Sequence, residues 1–200
     1  MIDNFNKILP LLDANDDQMF YFGQIMSRRK DNPSQSSDNR IIKDVYVGGP
    51  EELLEKKEEI VGLCNYFNAR FYLNVNQRNE KAVAFEMLRI LGDRISREEY
   101  HRLKGIYATA AGQKHSAPKD NKKWIVDVDV EDIFVIDAIR AAITLCRPDP
   151  ESDKVITQLP TPNGVHLITR PFDIKQFDEF KPKNKEISIQ KNNPTLVWAP

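Results

Sequence analysis

Cysteine is scarce: Cys64 and Cys146 are the only two in 200 residues. That is too few for a disulfide framework or a cysteine-based zinc site. Both sit in apolar stretches, where they read as small buried hydrophobes of a reducing compartment. A surplus of one charge is also missing. With 29 Lys and Arg against 30 Asp and Glu the net charge is −1, so no global field draws polyanions and any phosphate-binding surface has to be local. Long apolar runs are absent too. The most apolar stretch, residues 133–146, carries Asp137 and Arg140 and falls short of the roughly 18 uncharged residues that span a bilayer. It is expected as a helix buried in the core. Residues 1–16 are interrupted by acids and Pro10 and lack the basic start, apolar centre and small-residue cleavage site of a secretory signal. A cytoplasmic protein without membrane attachment is therefore expected, and no internal repeat is visible.

What is present suffices for a packed fold: 40% of the residues are hydrophobic and 30% charged, enough for one large domain or two small packed halves. Residues 19–26 are rich in aromatics and predict a strand. Residues 27–40 contain almost nothing apolar and predict a mobile loop, whose Arg28, Arg29 and Lys30 are either solvated or in reach of phosphates. A helix is expected after Gly49-Pro50, with Glu51 and Glu52 at its positive end and Glu52 to Lys56 as an i,i+4 pair. Residues 69–75 alternate and predict a strand, followed by a turn and a helix to about Leu91. Ser96 and Glu99 have the spacing of a capping box, which predicts a further helix ending near Gly112. Residues 113–123 form the most basic connection, with Lys114, Lys119, Lys122 and Lys123. A strand at 124–129, the apolar helix, strands at 154–159 and 165–170 around a turn, a short helix near 173–180, and extended segments at 186–190 and 195–198 complete the chain. This mixture argues an α+β fold with a mixed or antiparallel sheet flanked by helices.

Chemistry is concentrated in two places. In Trp124-Ile125-Val126-Asp127-Val128-Asp129 the period of two puts Ile125, Asp127 and Asp129 on one face. The carboxylates are about 6.6 Å apart along the strand, close enough to share a divalent cation such as Mg²⁺ or Mn²⁺ that would also hold substrate phosphates. Two acids at a strand end facing water would give the same pattern. The second place is Thr161-Pro162-Asn163-Gly164-Val165-His166, a turn feeding a strand. There Gly164 permits close backbone approach, and His166 can offer a ring nitrogen to a phosphate oxygen or serve as a structural residue.

A D-x-D strand, then a helix, then a small-residue and glycine turn ending in His, resembles the first two motifs of the archaeo-eukaryotic primase superfamily. Within it, the match is to the primase-polymerase-like proteins of phages and mobile elements. The resemblance covers roughly residues 65–200, and the chain as a whole, 1–200, is read as a single module with 1–45 as an N-terminal strand and loop portion. It implies a primase-polymerase-like fold with an RRM-like C-terminal half. It implies Asp127 and Asp129 as metal ligands, and as catalytic residues together with His166, which would contact the incoming nucleotide. Thr161, Asn163, Gly164 and Arg78 are the further nucleotide contacts expected, and Lys114, Lys119, Lys122 and Lys123 the nucleic-acid contacts. The family's third motif is a carboxylate on a late strand. Here that position carries Ser188, with Glu186 two residues earlier as a substitute metal ligand.

The activity implied is template-dependent nucleotidyl transfer in replication, with Mg²⁺ or Mn²⁺, nucleoside triphosphates, a DNA or RNA template, and a separate helicase or replication protein as partner. The alternatives are a catalytically silent primase-fold protein that binds nucleic acid or nucleotide, favoured by Ser188, and a metal-dependent nuclease using the same acids.

Overall fold

The computed structural model describes residues 1–13, 18–35, 39–113, 121–182 and 187–200. The first half runs β1 (Ile2–Asp3), α1 (Phe5–Ile8), a 3-10 turn at Leu9–Leu11, β2 (Met19–Arg28), β3 (Asn39–Val47), α2 (Pro50–Glu55), α3 (Lys57–Tyr66), β4 (Arg70–Leu73) and β5 (Arg78–Asn79). Two helical elements, α4 (Glu80–Ser96) and α5 (Ile106–Gly112), follow, with a 3-10 helix at Tyr100–Gly105 between them. The second half runs β6 (Trp124–Val128), α6 (Ile133–Leu145), β7 (Val155–Thr161), β8 (Gly164–Thr169), α7 (Ile174–Phe180), β9 (Ile187–Gln190) and β10 (Thr195–Ala199). The fold is α+β, with antiparallel sheets flanked by helices.

The first sheet has the order β1-β10-β4-β2-β3, with β5 also paired to β2. Its central strand β2 is covered on both faces, which explains an apolar pattern that does not alternate with polar residues. Tyr21 and Ile25 meet Phe5, Ile8, Ile60 and Cys64 on one side. Phe20 and Phe22 meet Val83, Ile90, Ile106 and Ala110, from α4 and α5, on the other.

The second sheet has the order β7-β8-β6-β9. Together with α6 and α7 it makes a β-α-β-β-α-β unit in which the first strand lies between the third and the fourth, the split β-α-β arrangement. Val126, Val128, Val165 and Leu167 pack one face of this sheet onto Ile136, Ile139, Ile143 and Phe177 of the two helices. On the opposite face Ile125, Leu159 and Ile168 enter the core of the first sheet beside Phe5, Val197 and Trp198. The sheets therefore share hydrophobic interior instead of merely touching. Two asparagines fasten the seam. Buried Asn4 donates from Nδ2 to the carbonyls of Pro160 and Leu196, 3.0 Å each. Asn76 donates to the Lys123 carbonyl at 2.8 Å and accepts from its N–H at 2.7 Å.

Three expectations change. The helix after Gly49-Pro50 is broken at Lys56 into α2 and α3, although Glu52 and Lys56 do pair as expected. Ser96 is not a helix start but the last residue of α4, its hydroxyl turned back to the Asp93 carbonyl at 2.8 Å. Glu99 is engaged by Arg94 and Arg102 instead of capping. Residues 27–40 are not simply a loop: Ser27 and Arg28 end β2, and Asn39 and Arg40 begin β3. Asn32 ties the segment down through bonds from Nδ2 to Ser27 Oγ, at 3.0 Å, and the Asn68 carbonyl, at 3.0 Å.

Candidate active site

The face of β6 that carries Ile125 into the shared core continues outward as Asp127 and then Asp129, just past the strand end. Period-two alternation thus delivers an apolar anchor and two acids on one line. Antiparallel register sets His166 of β8 directly across from Asp127 on one side and Ser188 of β9 on the other. The imidazole Nε2 lies 3.3 Å from Asp127 Oδ1. The other ring nitrogen, Nδ1, is 2.8 Å from Thr195 Oγ1, and Thr195 is fully buried. The Asp127 carboxylate is steered from the far side by Gln190, whose Nε2 donates to Oδ2 at 3.2 Å and to Ser188 Oγ at 3.3 Å.

Gly164 earns its place here through close approach. A Cβ at that position would fall 2.0 Å from the Val128 carbonyl oxygen and 2.8 Å from the Val130 nitrogen. Only a residue without a side chain lets the β7–β8 turn press against the exit of β6. The turn residues Thr161, Pro162 and Asn163 are thereby set beside the acids.

These groups line a cleft of about 150 Å³ at the seam between the sheets. Asp127, Asp129, Thr161, Asn163 and His166 contribute one wall. The opposite wall, from the first sheet, holds Arg28, Lys30, Arg70, Tyr72 and Leu196. Arg28 donates to the Tyr72 hydroxyl at 3.2 Å, and Arg70 is paired with Asp31 at 2.6 Å. Acids on one side and cations on the other suit a ligand that carries both signs, as a phosphate group accompanied by a divalent cation does.

The donor set fits such a cation only in part from the protein. Among the described residues, no three of His, Cys, Asp and Glu gather as a metal-binding group. Mg²⁺ commonly takes one or two carboxylates and completes its shell with water and substrate phosphates. Asp127 and Asp129 would hold it in that way, and a site closed by protein ligands alone does not fit.

Other expected residues lie elsewhere. Arg78 does not line the cleft: it is fully buried beneath α5, donating through Nε to the Ala111 carbonyl at 2.6 Å and through a terminal nitrogen to that of Asn76 at 3.1 Å. Desolvation brings its guanidinium down to about 10. Lys122 and Lys123 line a separate groove with Asp13, Ile156 and Arg170, beyond the opposite end of β6. Lys114, Lys119 and Glu186 lie outside the described residues.

Sequence reasoning did not single out Arg70, Tyr72, Thr195 and Gln190 as site residues. A signal for two of them existed: alternation along β4 puts Arg70 and Tyr72 on one face, opposite buried Phe71 and Leu73. Thr195 and Gln190 carried no such signal, because only the pairing of distant strands brings them to the imidazole and the carboxylate. No family model, curated protein or solved structure matches the chain.

Proposed function

We propose that the cleft carries out metal-dependent nucleotidyl transfer, in which the 3′-hydroxyl of a primer or initiating nucleotide attacks the α-phosphate of a nucleoside triphosphate and expels pyrophosphate. One observation carries this reading. Asp127, Asp129 and His166, about forty positions apart in sequence, line the same cleft and face the cations Arg28, Lys30 and Arg70. The resemblance of the D-x-D strand and of the turn ending in His166 to the primase-polymerase motifs, and the RRM-like order of the second sheet, support it. Mg²⁺ or Mn²⁺ at Asp127 and Asp129 would supply charge neutralisation at the attacking and leaving oxygens and a lowered hydroxyl pKa. His166, oriented by Thr195, presents Nε2 to the triphosphate. Arg28 and Lys30 offset its remaining charge, while Asn163 and Thr161 border the turn side.

The test is primer extension with Mn²⁺ or Mg²⁺ and labelled nucleotides. Asp127→Ala is expected to abolish incorporation, and His166→Ala chiefly to raise the KM for nucleotide. Wild type that incorporates nothing yet binds nucleotide would replace this reading with the silent one. That second reading has a specific observation behind it: Ser188, which the resemblance aligns with the family's third acid, stands directly opposite Asp127. Restored turnover in Ser188→Asp would then explain the silence. Shortening of the template would point to a nuclease.

A further inference from the structure

One face of α4 has no cover. Its inner side, with Val83 and Ile90, packs on Phe20 and Phe22 of β2. Its outer side carries Phe85 and Leu88, 63% and 66% exposed, and further along exposed Ile95. Phe85, Leu88, Gly92 and Ile95 are spaced by three and four residues, so they form one stripe along the helix. Beside it, Ala84, Met87, Leu88 and Leu91 enclose an apolar groove of about 560 Å³ with Leu103 and Tyr107. Exposed apolar residues on a monomer are usually scattered, and a contiguous surface of this kind marks an interaction site.

The pattern of the stripe matches itself. Gly92 lies well inside α4 without a positive φ, and a Cβ there would meet nothing within 4 Å. Glycine is a poor helix former, and nothing among the described residues calls for it. Two copies of α4 laid antiparallel about a two-fold axis between Leu88 and Arg89 bring each Phe85 over the other's Gly92, because both positions are equally far from that axis. The same operation sets each Leu91 beside Ala84 and Met87 of the other copy, at the groove. The ends are complementary in charge. Ion pairs on α4 join Glu86 to Arg89, Asp93 to Arg97 and Arg94 to Glu99. Exposed Lys81 in the first turn and exposed Glu98 just past the last belong to none of these. Antiparallel pairing brings Lys81 of each copy to the end where the other carries Glu98.

The area is also sufficient. The helix is about 25 Å long, and with the adjoining 3-10 helix the face is about 20 Å wide, so each copy contributes about 500 Å². The total of about 1,000 Å² stands at the lower limit of a specific interface, which makes the association reversible. We propose that α4 is the two-fold interface of a homodimer, with a second copy of this chain lying antiparallel across it. The inference is independent of the nucleotidyl-transfer reading, because the stripe and its groove share no residue with the cleft.

The experiment is sedimentation velocity of the full chain over a concentration series from about 1 to about 500 µM. Wild type is expected to pass from 23.1 kDa toward twice that mass, with a Kd on the order of 10 µM. Leu88→Glu puts two like charges at the axis and should weaken association at least about a hundredfold. Its urea transition at about 1 µM, where wild type is monomeric, should be unchanged, since the position is exposed. Gly92→Leu fills the hollow: the monomer should be at least as stable, and the dimer about tenfold weaker. Lys81→Glu and Glu98→Lys should each weaken the dimer about fivefold, and the two together should restore it. If Leu88→Glu loses helical dichroism, Gly92→Leu decides in its place. Wild type that stays monomeric throughout, a dimer indifferent to the folded variants at 88 or 92, or reversed charges that fail to rescue one another overturns the proposal.

Discussion

Thr195 has neither charge nor exposed surface, yet it sits 2.8 Å from the imidazole that faces the acids. A hydroxyl can donate or accept, so it holds the ring plane whichever nitrogen bears the proton. Thr195→Val keeps the shape and removes that partner. The expected result is a KM for nucleotide raised about tenfold, with stability lowered by only about 1 kcal/mol, the usual worth of one buried hydrogen bond. Thr195→Ser should restore the KM, which a purely packing role would not. Arg78 presents the opposite case, a charged side chain with no place in the cleft. It bonds the last-turn carbonyl of α5 and the backbone before β5 while bearing the desolvation that depresses its pKa. Arg78→Met should lower stability in urea by about 2–3 kcal/mol, since carbonyls are left unpaired, and should leave nucleotide KM unchanged.

At the scale of elements, the most demanding contact is the β7–β8 turn against the end of β6. Gly164→Ala would set a methyl group within 2.0 Å of the Val128 oxygen, a backbone atom with nowhere to go. The expected cost is about 3 kcal/mol or more, read by thermal or urea unfolding, together with loss of incorporation as the turn is displaced from Asp127.

The strands were legible wherever local pattern decides the matter. Alternation exposed β4 and β6, and turn chemistry marked the β7–β8 hairpin. The shared face of Asp127 and Asp129 was legible for the same reason. The Ser96–Glu99 pattern misled because its side chains found stronger local partners: the hydroxyl a carbonyl of its own helix, the carboxylate two arginines. The cationic wall was harder to read. Arg28 and Lys30 lie in a polar stretch that sequence leaves either solvated or in reach of phosphates, and what orders it is Asn68 and Arg70, some forty residues away.

For the whole molecule, the decisive fact is that Ile125, Leu159 and Ile168 of one sheet lie in the interior of the other. A shared core predicts one cooperative transition and not two. The two tryptophans allow a direct check, because Trp198 lies in the core beneath the first sheet and Trp124 packs beside Phe172 in the second. Trp124→Phe and Trp198→Phe leave one reporter each. Their urea transitions, corrected for each substitution's own effect, should share a single slope and keep step with loss of far-ultraviolet dichroism.

The seam also bears on heredity. Carboxylates and imidazole come from the C-terminal unit, while the guanidinium groups opposite them come from strands that precede it, so neither half owns a usable pocket. Recombination that swapped one half for a distant cousin's would join acids to foreign cations across a mismatched joint. Lineages of this protein should therefore exchange the two parts together or not at all.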